Sequence, residues 1–152
     1  MIGVFRRDDL PQGTREATLA LWHVADPGNV GTLLRSADAF GAGVALSAGC
    51  ADPTGPKALR ASAGAVFRVP VCGFDEGPGR RVALVAHGGE PLAEVGLGAP
   101  VTLVLGAERD GLPDEVLGRC DARASIPQTG DAESLNVAMA GTIALYELSR
   151  RP

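Results

Sequence analysis

Residues 101–108 have the sequence Val-Thr-Leu-Val-Leu-Gly-Ala-Glu, an apolar run that ends in a glycine turn followed by an acid. Such a run predicts a strand at residues 101–105 that is covered on both faces, as in a parallel sheet. Comparable runs predict further strands at residues 18–25, 44–47, 81–86 and 122–126, with an extended segment at 66–71. Apolar residues at helical spacing predict helices at residues 29–40, 56–63, 113–119 and 133–150. The alternation predicts an α/β fold: a mostly parallel sheet flanked by helices.

The composition is that of one globular domain. The 152 residues are 45% hydrophobic and 21% charged, which excludes wholesale disorder. Aromatic residues make up only 4%, which excludes an RNA-binding surface made mainly of stacked rings. No apolar run is long enough to span a membrane, so no membrane partner is expected.

The cysteines and histidines bear on location and on metals. Cys50, Cys72 and Cys120 are odd in number and widely spaced, which predicts a reducing, cytoplasmic environment. His23 and His87 lack the spacing of a zinc site, so no metal is expected.

The start of the chain differs from the rest. Residues 1–16 are polar and irregular, and we expect them to be a linker or lead-in to a single domain at residues 17–152. The net charge is −4, but residues 27–81 carry six basic and four acidic side chains, whereas residues 82–152 carry five and ten. Because phosphate contacts require positive charge, a polyanion site is expected in the first half.

Three polar, glycine-containing loops follow predicted strands, at residues 26–35, 105–112 and 126–136. Ligands of open α/β sheets bind beyond the carboxyl ends of the strands, so these loops form the candidate site. The candidate side chains in them are Asn29, Arg35, Glu108, Ser134 and Asn136. Each also has an ordinary explanation: Asn29 caps the first helix, Ser134 and Asn136 cap the last, and the two charges are solvated.

Other motifs are weaker. The chain has neither a phosphate-binding P-loop nor a G-x-G-x-x-G turn after its first strand. Residues 45–49, Ala-Leu-Ser-Ala-Gly, differ by one residue from the G-x-S-x-G turn of serine hydrolases. Neither histidine follows a candidate acid in a convincing place, so a hydrolase is a minor alternative.

At the three loops the chain carries three motifs in order: Asn29-x-Gly31-x-x-x-Arg35, Gly106-x-Glu108-x-x-Gly111-Leu112, and Ile126-Pro127 followed by Ser134-Leu135-Asn136-Val137. They resemble motifs 1, 2 and 3 of the SpoU (TrmH-like) RNA 2′-O-ribose methyltransferases, a branch of the SPOUT superfamily. The similarity covers about residues 18–150, and residues 52–65 resemble the connecting segment of the family.

The resemblance implies a fold, a cofactor and partners. The fold is a parallel sheet whose C-terminal segment is threaded into a deep trefoil knot. S-adenosylmethionine is bound in the knot, largely through backbone groups, by Ala86, Leu105, Gly106, Ile126 and Leu135. The substrate is RNA, either tRNA or rRNA, and no metal is needed. The chain forms a homodimer with active sites at the subunit interface, for which the helix that carries Arg35 and the C-terminal helix are candidates.

The resemblance also implies catalytic roles. Arg35 is the catalytic arginine by position; it stabilises the forming 2′-alkoxide, or acts as the base with help from the target phosphate. Asn29 and Asn136 position the ribose, the phosphate or Arg35. Glu108 orients Arg35 or holds its own turn. Ser134 binds phosphate through its hydroxyl and the nearby helix N-terminus.

The chain departs from the family pattern at two positions. Gln128 stands where the family usually has Met, and Ala138 where it often has Ser. Many relatives also carry an N-terminal RNA-binding domain, so we expect this chain to be a catalytic domain. The alternative is a catalytically inactive RNA- or cofactor-binding module of the same fold.

Overall fold

A computed structural model describes residues 4–151. Within that range the strands are β1 Ala17–Leu21, β2 Gly43–Leu46, β3 Val71–Gly73, β4 Arg80–Leu84, β5 Glu90–Pro91, β6 Val101–Leu105 and β7 Ala122–Ser125. The α-helices are α1 Pro27–Ala39, α2 Pro56–Ser62, α3 Asp114–Leu117 and α4 Val137–Ser149. Short 3-10 helices lie at Arg7–Asp9, Ala65–Phe67 and Phe74–Glu76.

The strands form one sheet in the order β3-β2-β1-β6-β4-β7-β5, and all their pairings are parallel. β6 is central and is in register with β1, with Leu19 opposite Leu103 and Leu21 opposite Leu105. The prediction of a mostly parallel α/β sheet is therefore confirmed. Because every strand points the same way, the loops after β1, β4, β6 and β7 open at one edge.

Strand β6 is buried on both of its faces. All five of its side chains are buried. Leu103 faces the larger cluster, which lies under α1 and α4. Val104 faces a smaller cluster on the other side with Ala20, Phe74 and Val116. Since both faces are covered, four of its five residues are apolar, and the hydroxyl of the fifth, Thr102, donates to the Pro78 carbonyl oxygen at 2.8 Å.

Most predicted elements are present with shifted ends. The strand predicted at 18–25 ends at Leu21 because the backbone turns at His23, whose φ is 51°. The extended prediction for 66–71 is wrong at its start, where Ala65–Phe67 is a 3-10 turn. The helix predicted at 133–150 begins only at Val137.

Helix α1 packs closely on α2 through a glycine of the first motif. A Cβ on Gly31 would lie 2.5 Å from the Ala58 carbonyl oxygen and 2.6 Å from the Ala61 Cβ. Any larger residue would push the two helices apart, which explains the glycine at this position.

Helix α1 also packs on α4. A Cβ on Gly141 would overlap with the Leu33 side chain and would lie 3.1 Å from the Leu105 Cδ2. The hydroxyls of Ser36 and Thr142 are hydrogen-bonded across this contact at 2.7 Å. The last helix is therefore fixed against the start of the domain.

Part of the predicted lead-in lies along the sheet edge. The Val71 N–H donates to the Pro11 carbonyl at 3.1 Å, and the Gly13 N–H donates to the Val71 carbonyl at 3.3 Å. Residues 1–3, which belong to the same predicted segment, lie outside the described range. In the described part of the chain, no helix is both long and apolar enough to cross a membrane.

Candidate active site

The start of α1 sets up the first part of the site. Asp26 is the N-cap, and its Oδ1 accepts from the Asn29 N–H at 3.0 Å. The prediction that Asn29 caps this helix is wrong. Proline favours the first helical position and keeps the preceding residue extended, so Asp26 before Pro27 takes the cap. The Asn29 side chain is therefore available for other contacts.

Hydrogen bonds connect Asn29 to the other two motifs. Its Nδ2 donates to the Glu108 Oε1 at 3.0 Å, and its Oδ1 accepts from the Asn136 Nδ2 at 3.2 Å. The Glu108 Oε1 also accepts from the Asp26 N–H at 3.3 Å. The loops before α1, after β6 and before α4 are thus joined by one hydrogen-bonded chain, Glu108–Asn29–Asn136.

Asn136 has a second role as the cap of α4. Its Oδ1 accepts from the Ala138 N–H at 2.9 Å and from the Met139 N–H at 3.3 Å. The cap prediction is confirmed for Asn136, but Ser134 lies in the loop before the helix and does not cap it. Because the cap fixes the Asn136 amide, its Nδ2 is oriented toward Asn29.

Two carboxylates of the site are held ionised. The Lys57 Nζ lies 2.8 Å from the Asp26 Oδ2, and this contact, with the Asn29 N–H, lowers the pKa of Asp26. Partial burial raises the pKa of Glu108, but hydrogen bonds from the Asn29 side chain and from nearby backbone N–H groups outweigh it, so the net pKa is lowered. Lys57 and Asp26 were not among the candidate residues; the Asp-Pro pair before a helical pattern was the signal for Asp26.

A pocket of about 180 Å³, the first pocket, opens beside this chain of hydrogen bonds. Its walls include all five residues expected to contact the cofactor: Ala86, Leu105, Gly106, Ile126 and Leu135. Glu108 and Ser134 also line it. The pocket therefore brings together the ends of β4, β6 and β7 and the loop before α4.

The turn after β6 is tight. The Ala107 and Gly111 N–H groups each donate to the other residue's carbonyl, at 3.1 and 3.0 Å. A Cβ on Gly106 would overlap with the Gly111 carbonyl group, so only glycine fits there. As a result, bare backbone forms part of the pocket wall.

Gln128 contributes a polar atom to the same pocket. Its Oε1 is buried and has no hydrogen-bond partner among the described residues. Buried polar atoms are nearly always paired, so this oxygen is available to a ligand donor. The sequence singled out Gln128 only as a departure from the family pattern.

Arg35 stands apart from the other candidates. It is exposed on α1, six residues beyond Asn29, and its side chain makes no hydrogen bond or ion pair with another residue in the range 4–151. Glu108 accepts hydrogen bonds from Asn29 and Asp26 and none from Arg35. The structure therefore does not show Glu108 orienting Arg35, which was one of its two expected roles.

The sequence of this chain is similar to those of known RNA methyltransferases. The sequence profile described as "SpoU rRNA Methylase family" matches residues 16–146. The 23S rRNA (uridine(2479)-2'-O)-methyltransferase of Streptomyces viridochromogenes is 39% identical over 141 residues, which cover 82% of this chain and 49% of that protein. The chain spans about half the length of the curated relatives it matches.

Solved structures of RNA methyltransferases also have a similar fold. The AdoMet-bound rRNA methyltransferase from Sinorhizobium meliloti has a TM-score of 0.82 and 37% identity, over 93% of this chain and 59% of that one. A structure described as giving insights into the 2-OH methylation of C/U34 on tRNA has a TM-score of 0.80 and 30% identity, over 88% of this chain and 94% of that one. Together with the profile match, these similarities show that the chain belongs to the SpoU rRNA methylase family.

Proposed function

We propose that this chain transfers a methyl group from S-adenosylmethionine to a ribose 2′-hydroxyl of tRNA or rRNA, with residues 17–152 as the catalytic domain and residues 1–16 as its lead-in. The observation that carries the proposal is the Glu108–Asn29–Asn136 chain, whose first member, Glu108, lines the first pocket. Relatives named for 2′-O-methylation of rRNA, and a neighbour described for 2-OH methylation of tRNA, support the reaction type and the substrate class.

The first pocket fits S-adenosylmethionine. Its apolar side chains and the bare backbone at Gly106 suit a ligand with a flat base. The Gln128 Oε1, which has no hydrogen-bond partner within residues 4–151, suits an amino donor of that ligand. Ala86, Leu105, Gly106, Ile126 and Leu135 would hold it. When bound, it supplies an electrophilic methyl group on a sulfonium. Two similar structures are described as containing AdoMet, which supports the assignment.

The polar residues then orient and stabilise the acceptor. Methyl transfer is an in-line displacement, which needs accurate orientation of the ribose. Asn29 and Asn136 are held by each other and by Glu108, so their amides offer fixed contacts to the ribose or its phosphate. Ser134 offers a hydroxyl to the phosphate. The Arg35 guanidinium does not readily lose a proton, so its role is to stabilise the forming alkoxide.

We also propose that the C-terminal segment is knotted. β7 lies between β4 and β5, inside the path that the chain takes from β4 through β5 to β6. From β7 the chain passes the first pocket and then packs through α4 on α1. A strand inserted within an earlier loop, followed by a return to the first helix, supports a trefoil knot.

We propose a homodimer with α4 and α1 at the interface. Four large apolar side chains along α4 and the loop before it are between 36% and 54% exposed: Leu135, Met139, Ile143 and Tyr146. We call these four residues the α4 stripe. A second copy of the chain covering the stripe would bring Arg35, exposed on the adjacent helix, to the boundary between protomers.

The three cysteines, all free in the structure, support a cytoplasmic setting for the reaction.

Calorimetric titration of S-adenosylhomocysteine, with the mass in solution recorded, tests the site. Transfer of labelled methyl groups to tRNA and rRNA, followed by 2′-O-methyl analysis, then tests the reaction. We expect saturable binding and methylation of one RNA class. Binding without methylation of either class would contradict the proposal and favour an inactive module.

Arg35→Ala is expected to lower methylation about 100-fold or more while S-adenosylhomocysteine still binds, because Arg35 acts on the developing charge. Arg6→Ala, which removes the same charge from an exposed position before β1, is the matched control and should retain activity. Equal methylation by Arg35→Ala and the control would remove Arg35 from the mechanism.

A further inference from the structure

A second pocket, of about 610 Å³, opens on the other side of the turn after β6. Four residues of that turn, Ala107, Glu108, Arg109 and Gly111, line both pockets. The far wall of the second pocket is formed by Trp22, His23 and Gly49, after β1 and β2. A single turn therefore separates the second pocket from the proposed methyl-donor site.

Trp22 and His23 form a stacked aromatic pair in this wall. Their ring centroids are 4.6 Å apart and their planes differ by 13°. Trp22 is half-buried and is braced by the edge of Phe74, at a centroid distance of 5.1 Å. His23 is exposed. The pair is thus anchored at one end and accessible at the other.

The backbone of His23 is held in an unusual conformation. Its φ of 51° lies in the left-handed region, which residues with a Cβ rarely adopt. Its N–H donates to the Ser47 Oγ at 2.9 Å, and a Cβ on Gly49 would lie 3.4 Å from its Cγ. Such conformations persist where the surroundings enforce them, and they cluster at ligand-binding sites. Nothing in the proposed methyl-transfer machinery uses this pair.

The covalent structure of a nucleotide suggests that the two pockets hold neighbouring parts of one substrate. A nucleobase is attached to the ribose carbon that neighbours the 2′ carbon, so the base must lie close to the 2′-hydroxyl. With the ribose at the Glu108–Asn29–Asn136 chain, the second pocket is the adjoining space that has aromatic walls. Proteins that act on unpaired nucleotides hold the base by stacking it on aromatic side chains.

We propose that Trp22 and His23 bind the base of the nucleotide whose ribose is methylated. The proposal rests on the proposed function, because it uses that site to orient the nucleotide. It makes His23 a determinant of substrate binding, distinct from the residues that hold the methyl donor.

The chain offers a built-in reporter, since Trp22 is its only tryptophan. The full chain is first saturated with S-adenosylhomocysteine, which fills the first pocket. The 5′-monophosphates of the four ribonucleosides are then titrated while Trp22 fluorescence is followed. We expect saturable quenching by at least one nucleotide and none by ribose 5-phosphate, which lacks a base. No quenching by any of the four, or equal quenching by ribose 5-phosphate, would overturn the proposal.

His23→Asn removes the ring but keeps a residue that tolerates a left-handed backbone. We expect it to weaken nucleotide binding by about fivefold or more, the range for loss of one stacked base. His23→Gly, which also accepts this φ, should give the same loss. His87→Asn changes the other histidine, outside the second pocket, and should bind nucleotides like the wild type. Unchanged nucleotide binding by both His23 variants would overturn the proposal.

Calorimetry with S-adenosylhomocysteine on the same samples separates the two proposals. Donor binding without any response of Trp22 would refute the base site and leave the proposed function standing. Absence of donor binding would count against the proposed function, and the Trp22 titration, repeated without S-adenosylhomocysteine, would then decide whether the second pocket takes a base.

Discussion

Asp26 connects the ion pair, the helix cap and the hydrogen-bonded chain of the site. One of its oxygens caps α1, the other meets the Lys57 ammonium, and its own N–H donates to Glu108. These contacts favour the ionised carboxylate and hold its pKa below the ordinary value. The position of Asn29 therefore depends on the ionised carboxylate of Asp26, which the Lys57 ammonium of α2 stabilises.

Asp26→Asn tests this charge, because asparagine caps helices as well as aspartate does. The pKa of Asp26 is lower in the folded state than in the unfolded one, so its charge adds stability above the unfolded value of about 3.9. That contribution is lost as the pH falls through the folded value. We expect the wild type to resist urea better than Asp26→Asn at neutral pH, and this advantage to shrink under acid.

Urea denaturation followed by circular dichroism, at several pH values, measures the difference. Lys57→Ala should reduce the advantage, since it removes the first cause of the shift. A difference between wild type and Asp26→Asn that stays constant with pH would contradict the charge argument.

The sequence predicted part of the site and missed part of it. Gly106 and Ile126 were predicted as cofactor contacts from the family resemblance of their motifs, and the structure brings both to the first pocket. Asp26 and Lys57 were missed because their pairing joins the cap of α1 to the first turn of α2, 31 residues further along the chain, which no local pattern reveals. The catalytic roles of Arg35 and Ser134 stay predictions.

The contact between α1 and α4 depends on a glycine in the middle of a helix. Alanine at 141 would gain up to about 1 kcal/mol of helix propensity. The added Cβ would meet Leu33 and Leu105 in a filled core, at a cost of about 1–3 kcal/mol. We expect Gly141→Ala to lower the free energy of unfolding by about 1–2 kcal/mol in urea titrations.

Gly98→Ala is the control, because a Cβ there meets no atom within 4 Å. Its free energy of unfolding should stay near the wild-type value. A gain in stability for Gly141→Ala would mean that α1 and α4 separate at no cost.

The ends of the elements were harder to predict than their existence. β6 was predicted with both ends correct, because its apolar run is bounded by Pro100 and Gly106. The start of α4 was placed four residues early, since residues 133–136 continue a plausible amphipathic pattern. The Asn136 cap, seen only in the folded chain, sets the true start. β5 was not predicted, because a strand of two residues is too short to show an alternating hydrophobic pattern.

The α4 stripe gives the proposed dimer a direct test. Ile143 is 39% exposed, so Ile143→Lys should cost the folded monomer at most about 0.5 kcal/mol. At an interface the same ammonium would be buried without a partner, which is costly. We expect Ile143→Lys to have the mass of one chain by light scattering, and the wild type the mass of two.

Ala93→Lys adds the same charge at an exposed position outside the stripe and should leave the mass of two chains unchanged. A wild type with the mass of one chain, or an Ile143→Lys variant with the mass of two, would contradict the proposed interface.

Asn136 follows all seven strands of residues 4–151, yet it completes the hydrogen-bonded chain that runs from Glu108 through Asn29. During synthesis the sheet strands leave the ribosome before this residue does. A nascent chain that ends at β7 has the ends of β4, β6 and β7 but lacks the wall formed by Ser134, Leu135 and Val137. The first pocket is therefore complete only after the segment from Ser134 onward has been synthesised and has packed against the sheet.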